Sequence, residues 1–215
     1  MESINTEIKD KIRAFWDNPY QNYDRVHAHG VYSEQEKEIW RNALTQLLGE
    51  KKLKILDVGT GTGFLALLLA EMGHNVTGAD WSNSKLEEAK KKIKGDITIK
   101  FVKEDAEDLS FEGNIFDAVV SRHLIWTLTN PKAVINEWIR VTKPKGQIIV
   151  DVPEKKSHVG NHHFGEEIGK ELPFYNGADP EEIVKMFEEA RLANISVRNF
   201  EKMTLVKGEK WGSVP

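Results

Sequence analysis

Cysteine is absent from the 215 residues of the chain. Its absence excludes disulfide bonds, thiolate metal sites and every mechanism that needs a cysteine nucleophile. Long apolar segments are also missing, because the longest, residues 64–70, falls far short of the roughly 20 residues that a membrane-spanning helix needs. The polar residues 1–10 lack the apolar region of a signal peptide. We therefore expect a cytoplasmic protein with no membrane partner.

An excess of positive charge is missing as well, since 30 basic residues face 34 acidic ones and the formal net charge is −4. A surface of this charge has no reason to attract nucleic acid as a partner. Hydrophobic residues make up 40% of the chain and charged residues 30%, which is typical of a globular protein. Because the length suits one core, we expect a single domain, present as a monomer or a homodimer.

Two helices are predicted before the first strand. Isoleucines and a phenylalanine recur at helical spacing over residues 4–16, and Asn18-Pro19 follows as a turn signal. Ser33, with a glutamate three residues later, has the pattern of a capping box and begins a second helix that ends at Gly49. These helices would form a cap in front of the rest of the chain.

Strand and helix patterns alternate along the remainder of the chain, which predicts a parallel sheet with right-handed crossovers. The predicted fold class is α/β: a doubly wound, Rossmann-like, mostly parallel sheet of about seven strands with helices on both faces and an N-terminal helical cap. Strands are predicted at residues 54–58, 75–79, 97–102, 116–121, 147–152, 195–200 and 203–206. Helices are predicted at residues 63–72, at 84–93, at 133–141 and from Asp179-Pro180 onward.

The most informative segment is the first predicted strand, which runs into a glycine loop and then a helix. Gly59, Gly61 and Gly63 allow a sharp backbone turn and the close approach of a ligand. A dinucleotide fingerprint needs its third glycine one residue later, where Phe64 stands, so a pyrophosphate is disfavoured. Asp57 would also repel a phosphate, whereas it could favour the ammonium end of a cationic amino-acid ligand.

This loop resembles that of the class I S-adenosylmethionine-dependent methyltransferases, in the branch that acts on small molecules. The residues that match the family's D-x-G-x-G-x-G pattern, or lie within it, are Asp57, Gly59, Thr60, Gly61 and Gly63. The resemblance extends over residues 23–152. It implies S-adenosylmethionine as the cofactor, S-adenosylhomocysteine as the product and a small-molecule methyl acceptor.

Further cofactor contacts are implied by the same resemblance. Asp80, after the second strand, matches the acid that accepts hydrogen bonds from both ribose hydroxyls, although it could otherwise only cap the next helix. Trp81 beside it could pack against adenine. Asp105 and Ala106, after the third strand, match the pair that reads the adenine amino group and ring nitrogen, and a glutamate on either side could do so instead.

Two histidines are candidate catalytic bases, because histidine titrates near neutrality. His123 lies just past the fourth strand and His29 lies in the N-terminal aromatic segment. Otherwise His123 packs beside the methionine part of the cofactor and His29 orders the cap. Tyr23 resembles the family's tyrosine that closes over the cofactor. Arg122 is assigned to the cofactor site, although it could neutralise an acidic acceptor or bond only to the backbone.

We expect the single domain to have four parts: a cap at 1–49, a cofactor-binding core at 50–153, an insertion over the active site at 154–178, and a C-terminal helix with two strands at 179–215. The insertion lacks clear periodicity. Its histidines match no metal-binding spacing, so no metal site is predicted. Four aromatic residues could line a substrate pocket or form the insertion's own core, namely Trp126, Phe164, Phe174 and Tyr175.

Two absent motifs narrow the acceptor class. Enzymes that methylate C5 of pyrimidines need a cysteine, and amino-directed nucleic-acid enzymes carry an Asp/Asn-Pro-Pro-aromatic run that residues 121–124 do not form. We therefore predict methyl transfer to a small molecule, at a carbon of a quinone-like ring or at an oxygen or nitrogen of a polar metabolite. One alternative is a non-catalytic S-adenosylmethionine sensor or assembly subunit. Another is a nicotinamide-dependent oxidoreductase, which the spacing of the glycines disfavours.

Overall fold

The computed structural model of the chain describes residues 2–18, 33–152, 155 and 164–212. Tyr23, His29 and the three histidines of the predicted insertion lie outside the described residues. The two helices before the first strand are α1 (Glu2–Trp16) and α2 (Glu34–Leu48), as predicted. Ser33 caps α2, because its hydroxyl accepts a hydrogen bond from the backbone N–H of Glu36 at 3.1 Å.

Within the described residues, seven strands form one sheet in the order β3-β2-β1-β4-β5-β7-β6. Strand β7 runs antiparallel to both of its neighbours, and the other pairings are parallel. The predicted doubly wound, mostly parallel sheet is therefore confirmed. The strands are β1 (Lys54–Val58), β2 (Asn75–Asp80), β3 (Ile99–Lys103), β4 (Phe116–Ser121), β5 (Thr142–Asp151), β6 (Ala193–Phe200) and β7 (Met203–Glu209).

Helices cover both faces of this sheet. Because successive strand residues point to opposite faces, Leu56 and Val119 pack in one core, whereas their neighbours Ile55 and Ala118 pack in the other. The first core receives side chains of α5 and α7, including the fully buried Trp138, and the second receives those of α2 and α3. The helices after β1 are α3 (Phe64–Glu71), α4 (Asn83–Lys91), α5 (Pro131–Val141), α6 (Gly165–Gly169) and α7 (Pro180–Glu189).

The strand β5 differs from its prediction, because it begins at Thr142 and not at residue 147. The additional residues 142–146 are held beside the sheet through Lys210, which follows β7. The N–H of Lys145 donates to the carbonyl of Lys210 at 2.9 Å, and the N–H of Lys210 donates to the carbonyl of Gly146 at 2.9 Å. Lys145 has a φ of 64°, which lies in the left-handed region that favours glycine. A lysine therefore occupies a position at which the backbone turns sharply.

Candidate functional site

A crevice lies beyond the carboxyl ends of β1, β2 and β4, at the point where the strand order reverses. Open α/β sheets bind their ligands at this position. It contains about 810 Å³ of space that is partly open to solvent, which suits a ligand of nucleoside size. The predicted site residues that line it are Gly59, Gly61, Asp80, Trp81, Asp105, Ala106 and His123. The crevice therefore brings together loops that follow four different strands.

The glycine loop forms the floor of the crevice. The N–H groups of Gly59 and Thr60 both donate to the carbonyl at the end of β2, at 2.8 and 3.0 Å, which fixes the turn. Gly59 has a φ of 70°, and a Cβ added there would lie 3.0 Å from the side chain of Leu124. Gly63 has a φ of 88°, and a Cβ added there would lie 2.9 Å from Ala89. Side chains are excluded at both positions by backbone conformation and by close packing.

Asp57 lies behind the loop and not on the crevice wall. Its side chain is fully buried, and its Oδ2 accepts a hydrogen bond from Thr60 Oγ1 at 2.6 Å. Burial raises the pKa of Asp57 to about 7, against the opposing effect of the Thr60 hydrogen bond. A cationic ligand above the loop would stabilise the charged form of this carboxyl group.

Asp80, which is predicted to accept hydrogen bonds from a ribose, is the last residue of β2. Its Oδ2 accepts from the N–H of Gly61 at 2.8 Å and its Oδ1 accepts from the N–H of Ser82 at 2.9 Å. Each carboxylate oxygen has two lone pairs, so both keep capacity for a ligand hydroxyl. Burial raises the pKa of Asp80, whereas these N–H groups and the charge of Lys85 lower it.

Lys85 is a crevice residue that the sequence reasoning missed. It lies in the first turn of α4, it is almost fully buried, and it lines the crevice near Asp80. The predicted helix over residues 84–93 is rich in charge, and a lysine in such a helix ordinarily faces solvent. Its position five residues after Asp80 was the only available signal.

The acids that follow β3 form the opposite wall. Asp105 Oδ1 accepts from the N–H of Glu107 at 3.0 Å, and Asp105 Oδ2 accepts from Arg13 at 2.7 Å. Glu104 accepts hydrogen bonds from the hydroxyl and N–H of Ser110. All three acids line the crevice, and Ala106 lies among them.

Helix α1 closes the crevice on this side, a contact that its sequence did not reveal. Ile12 and Trp16 face the crevice, while a polar stripe at helical spacing contacts the rim. In that stripe Lys9 pairs with Glu107 at 2.5 Å, and the Arg13 guanidinium lies 4.5 Å from the centre of the Trp81 ring. Asp17, just past the helix end, accepts from the hydroxyl of Ser82 at 2.9 Å. Apolar contacts and charge pairs therefore hold α1 in place together.

His123 lies at the end of the crevice nearest the glycine loop, since its neighbour Leu124 packs on Gly59. Its Nδ1 is 3.1 Å from Asp151 Oδ2, and its backbone N–H donates to Asp151 Oδ1 at 2.8 Å. Burial alone would raise the pKa of Asp151, but these contacts hold it below the ordinary value. Asp151 was also missed by sequence reasoning, although a carboxylate ending an apolar strand was a visible signal.

Arg122 lies apart from the crevice wall. Its guanidinium carbon is 5.0 Å from the centre of the Phe64 ring and 5.6 Å from that of Trp40, between α2 and α3. Its charge lowers the pKa of Asp57 and of Asp151. Arg122 therefore acts on the site through its charge in this structure. Thr60 and Gly63 also lie outside the crevice lining, and they support the glycine loop from behind.

An aromatic cluster continues from α1 into the segment after β5. Trp16 contacts the rings of Trp126 at 6.1 Å and Phe164 at 5.7 Å, and Phe164 stacks on Tyr175 at 6.0 Å. Trp126 and Tyr175 are buried, so of these four rings the structure places Trp16 on the crevice wall. Trp126, Phe164 and Tyr175, which were candidates for lining a substrate pocket, therefore pack together behind the Trp16 ring.

Comparison with known proteins gives consistent results. A family model described as a methyltransferase domain matches residues 56–150, from β1 to the end of β5. A demethylmenaquinone methyltransferase from Clavibacter sepedonicus is 33% identical over 144 residues, which cover 65% of this chain and 57% of that protein. A demethylmenaquinone methyltransferase from Staphylococcus aureus (strain MRSA252) is 29% identical over 220 residues, which cover 91% of this chain and 90% of that protein.

Among solved structures, the magnesium protoporphyrin IX methyltransferase from Synechocystis PCC 6803 with bound S-adenosylhomocysteine superimposes with a TM-score of 0.66. Its sequence is 18% identical, and the match covers 94% of this chain and 99% of that one. At this identity the likeness concerns the fold. Among the described residues, no helix combines the length and apolar character needed to cross a bilayer, and no cluster of histidines and acids could hold a metal ion.

The raised pKa of Asp57 predicts that this residue lowers the free energy of unfolding by an amount that depends on pH. Between its ordinary value of 3.8 and about 7, the folded state keeps a proton that the unfolded state releases. The contribution of Asp57 to the free energy of unfolding therefore falls as pH rises through this interval and is constant above it. We expect Asp57→Asn to stabilise the protein by about 1–3 kcal/mol at pH 8 and by almost nothing at pH 4, as measured by urea denaturation.

The matched control for this variant is Asp117→Asn. Lys143 and the N–H of Lys54 hold the pKa of Asp117 below its ordinary value, even though burial opposes them. Its loss should therefore destabilise the protein at pH 8, with the opposite sign to Asp57→Asn. Equal stability changes for Asp57→Asn at pH 4 and pH 8 would contradict the assignment.

The contacts of α1 predict that Arg13 slows cofactor release. Its ion pair and its contact with Trp81 are each worth roughly 0.5–1 kcal/mol. Loss of both contacts in Arg13→Met should therefore raise the dissociation rate of S-adenosylhomocysteine about 5- to 30-fold, as measured by stopped-flow tryptophan fluorescence. Lys11→Met is the control, because the ion pair of Lys11 is with the exposed Glu7 of the same helix and Lys11 does not line the crevice. Slower release from Arg13→Met would show that the arginine obstructs the cofactor.

Proposed function

Because the chain belongs to the class I S-adenosylmethionine-dependent methyltransferases, we propose that it methylates a ring carbon of a quinol-type small molecule. The similarity over nearly the whole chain to a protein named as a demethylmenaquinone methyltransferase supports this acceptor class. The crevice supports it independently, because part of its wall is apolar. Ile12, Trp16, Leu124 and Leu128 would cover a flat ring and exclude water.

The residues around the crevice fit S-adenosylmethionine. Gly59 and Gly61 leave the backbone open to close approach by the methionine part, with Asp57 behind them favouring a cation. Asp80 would accept hydrogen bonds from the ribose hydroxyls, and Asp105 would accept one from the adenine amino group. We further propose that the Ala106 N–H and the Trp81 ring complete the adenine site, that Tyr23 closes over the cofactor, and that Arg122 adds charge to the methionine end.

His123 is the base that we propose for the reaction, and His29 remains a second candidate outside the described residues. Loss of the hydroxyl proton to His123 leaves the electron pair on oxygen and increases electron density at the conjugated ring carbon. S-adenosylmethionine, when bound, supplies a methyl group activated by its sulfonium leaving group. The ring hydrogen is then lost and the hydroxyl proton returned, so one proton is released for each methyl group transferred.

Methyl transfer to a quinol tests the proposal directly. We expect the purified protein to transfer radiolabelled methyl groups to a demethylmenaquinone with a short isoprenoid chain after its chemical reduction. Proton NMR of the product should place the new methyl group on the ring. The oxidised quinone is the matched control, because it has no hydroxyl proton to lose and should not be methylated. The absence of any product would overturn the quinol assignment, and an O-methylated product would overturn transfer to the ring carbon.

Removal of the proposed ribose contact tests the cofactor site separately. Asp80→Ala deletes charge-assisted hydrogen bonds and should weaken binding of S-adenosylhomocysteine by about 1–3 kcal/mol in calorimetric titration. Asp108→Ala is the control, because Asp108 is an exposed acid near Asp105 and its side chain does not line the crevice. Equal affinities of the two variants would place the ribose elsewhere.

A further inference from the structure

Asp151 is buried at the carboxyl end of β5, with only 4% of its surface exposed. Both of its oxygens contact one residue. Oδ1 accepts the backbone N–H of His123 at 2.8 Å, and Oδ2 lies 3.1 Å from Nδ1 of the same histidine. A single carboxylate therefore fixes both the backbone and the ring of His123.

This arrangement is costly in two ways. Removing a carboxylate from water is unfavourable unless hydrogen bonds compensate. In addition, His123 has a φ of 56°, a conformation that residues other than glycine rarely adopt. Strained residues of this kind are concentrated at functional sites, where the surrounding structure holds them in place. The strain here coincides with a residue on the wall of the crevice.

The contact also selects the protonation state of the imidazole ring. When Nδ1 carries a proton and donates it to Asp151, the neutral ring has its lone pair on Nε2. Carboxylates orient catalytic and metal-binding histidines in this way. Arg122 precedes the histidine in the chain, and the charged side chains that line the same crevice are Lys9, Asp80, Lys85, Glu104, Asp105 and Glu107.

We propose that Asp151 is a positioning residue, which holds His123 so that Nε2 takes the hydroxyl proton of the methyl acceptor. This inference rests on the proposed function and deepens it, because it requires an acceptor with an ionisable hydroxyl group conjugated to the methylated carbon. In the step, the acceptor O–H bond breaks, its electron pair stays on oxygen, and an Nε2–H bond forms. The proton later returns to the product.

The first test needs no acceptor. Long-range ¹H–¹⁵N correlation spectra of histidine-labelled protein show which ring nitrogen of His123 carries the proton, and His123→Gln assigns the signals. We expect the Nδ1–H tautomer in the unaltered protein. In Asp151→Asn the single amide oxygen can serve only one of the two donors, so we expect a mixture of tautomers. An Nε2–H tautomer of His123 in the unaltered protein would overturn the proposal even if Asp151→Asn does not fold.

The second test is kinetic, with the reduced short-chain demethylmenaquinone as acceptor. Asp151→Asn should lower kcat about 10- to 100-fold with unchanged affinity for S-adenosylhomocysteine, and His123→Gln should lower it by about 100-fold or more. The double variant should be no slower than His123→Gln alone, because Asp151 acts through the histidine. Asp117→Asn, at the other end of the sheet, should leave kcat unchanged.

The outcomes separate the two proposals. Independent, multiplying losses in the double variant would show that Asp151 acts by a different route and would overturn the positioning role. The Nδ1–H tautomer together with no methylation of the quinol would support the histidine–aspartate pair and overturn the acceptor class. Restoration of part of the activity by Asp151→Glu would support a carboxylate requirement beyond mere folding.

Discussion

The carboxyl edge of the sheet carries four aspartates whose desolvation must be compensated by hydrogen bonds. Each stands within two residues of the end of a strand, and each takes at least one donor from a loop that forms the crevice. The four are Asp57 after Leu56, Asp80 at the end of β2, Asp105 after β3 and Asp151 at the end of β5. Because an unpaired buried carboxylate is so unfavourable, these acids fix the loops and create the site at once.

Each of these acids binds a hydrogen-bond donor from a different part of the site. Asp80 holds Gly61, so the proposed ribose site and the glycine loop are fixed by one group. Asp105 is tied to α1 through Arg13, so the proposed adenine site and the covering helix depend on each other. Asp151 holds His123 on the crevice wall. Hydrogen bonds to aspartates thus fix the proposed cofactor site, the covering helix α1 and the proposed base along a single crevice.

Much of the fold could be predicted from local pattern. The strands at 54–58 and 116–121 have the predicted bounds, and the glycine loop has the predicted place, because periodicity and glycine positions are properties of neighbouring residues. The contacts of the site are different, since Arg13 and Asp105 are 92 residues apart and His123 and Asp151 are 28 apart. Such pairs leave no periodic trace. The division into cap, core, insertion and C-terminal part stays a prediction.

The early third glycine acquires a physical meaning in the structure. Gly63 adopts a left-handed conformation at the start of α3, and Phe64 therefore occupies the first position of that helix. Its ring contacts Trp40 at 6.1 Å and lies beside the Arg122 guanidinium. Binding of a pyrophosphate at a helix N-terminus requires exposed N–H groups and close approach of the phosphates. A large side chain packed at this turn, with the acidic Asp57 behind the loop, instead favours a cofactor that presents a cationic amino acid.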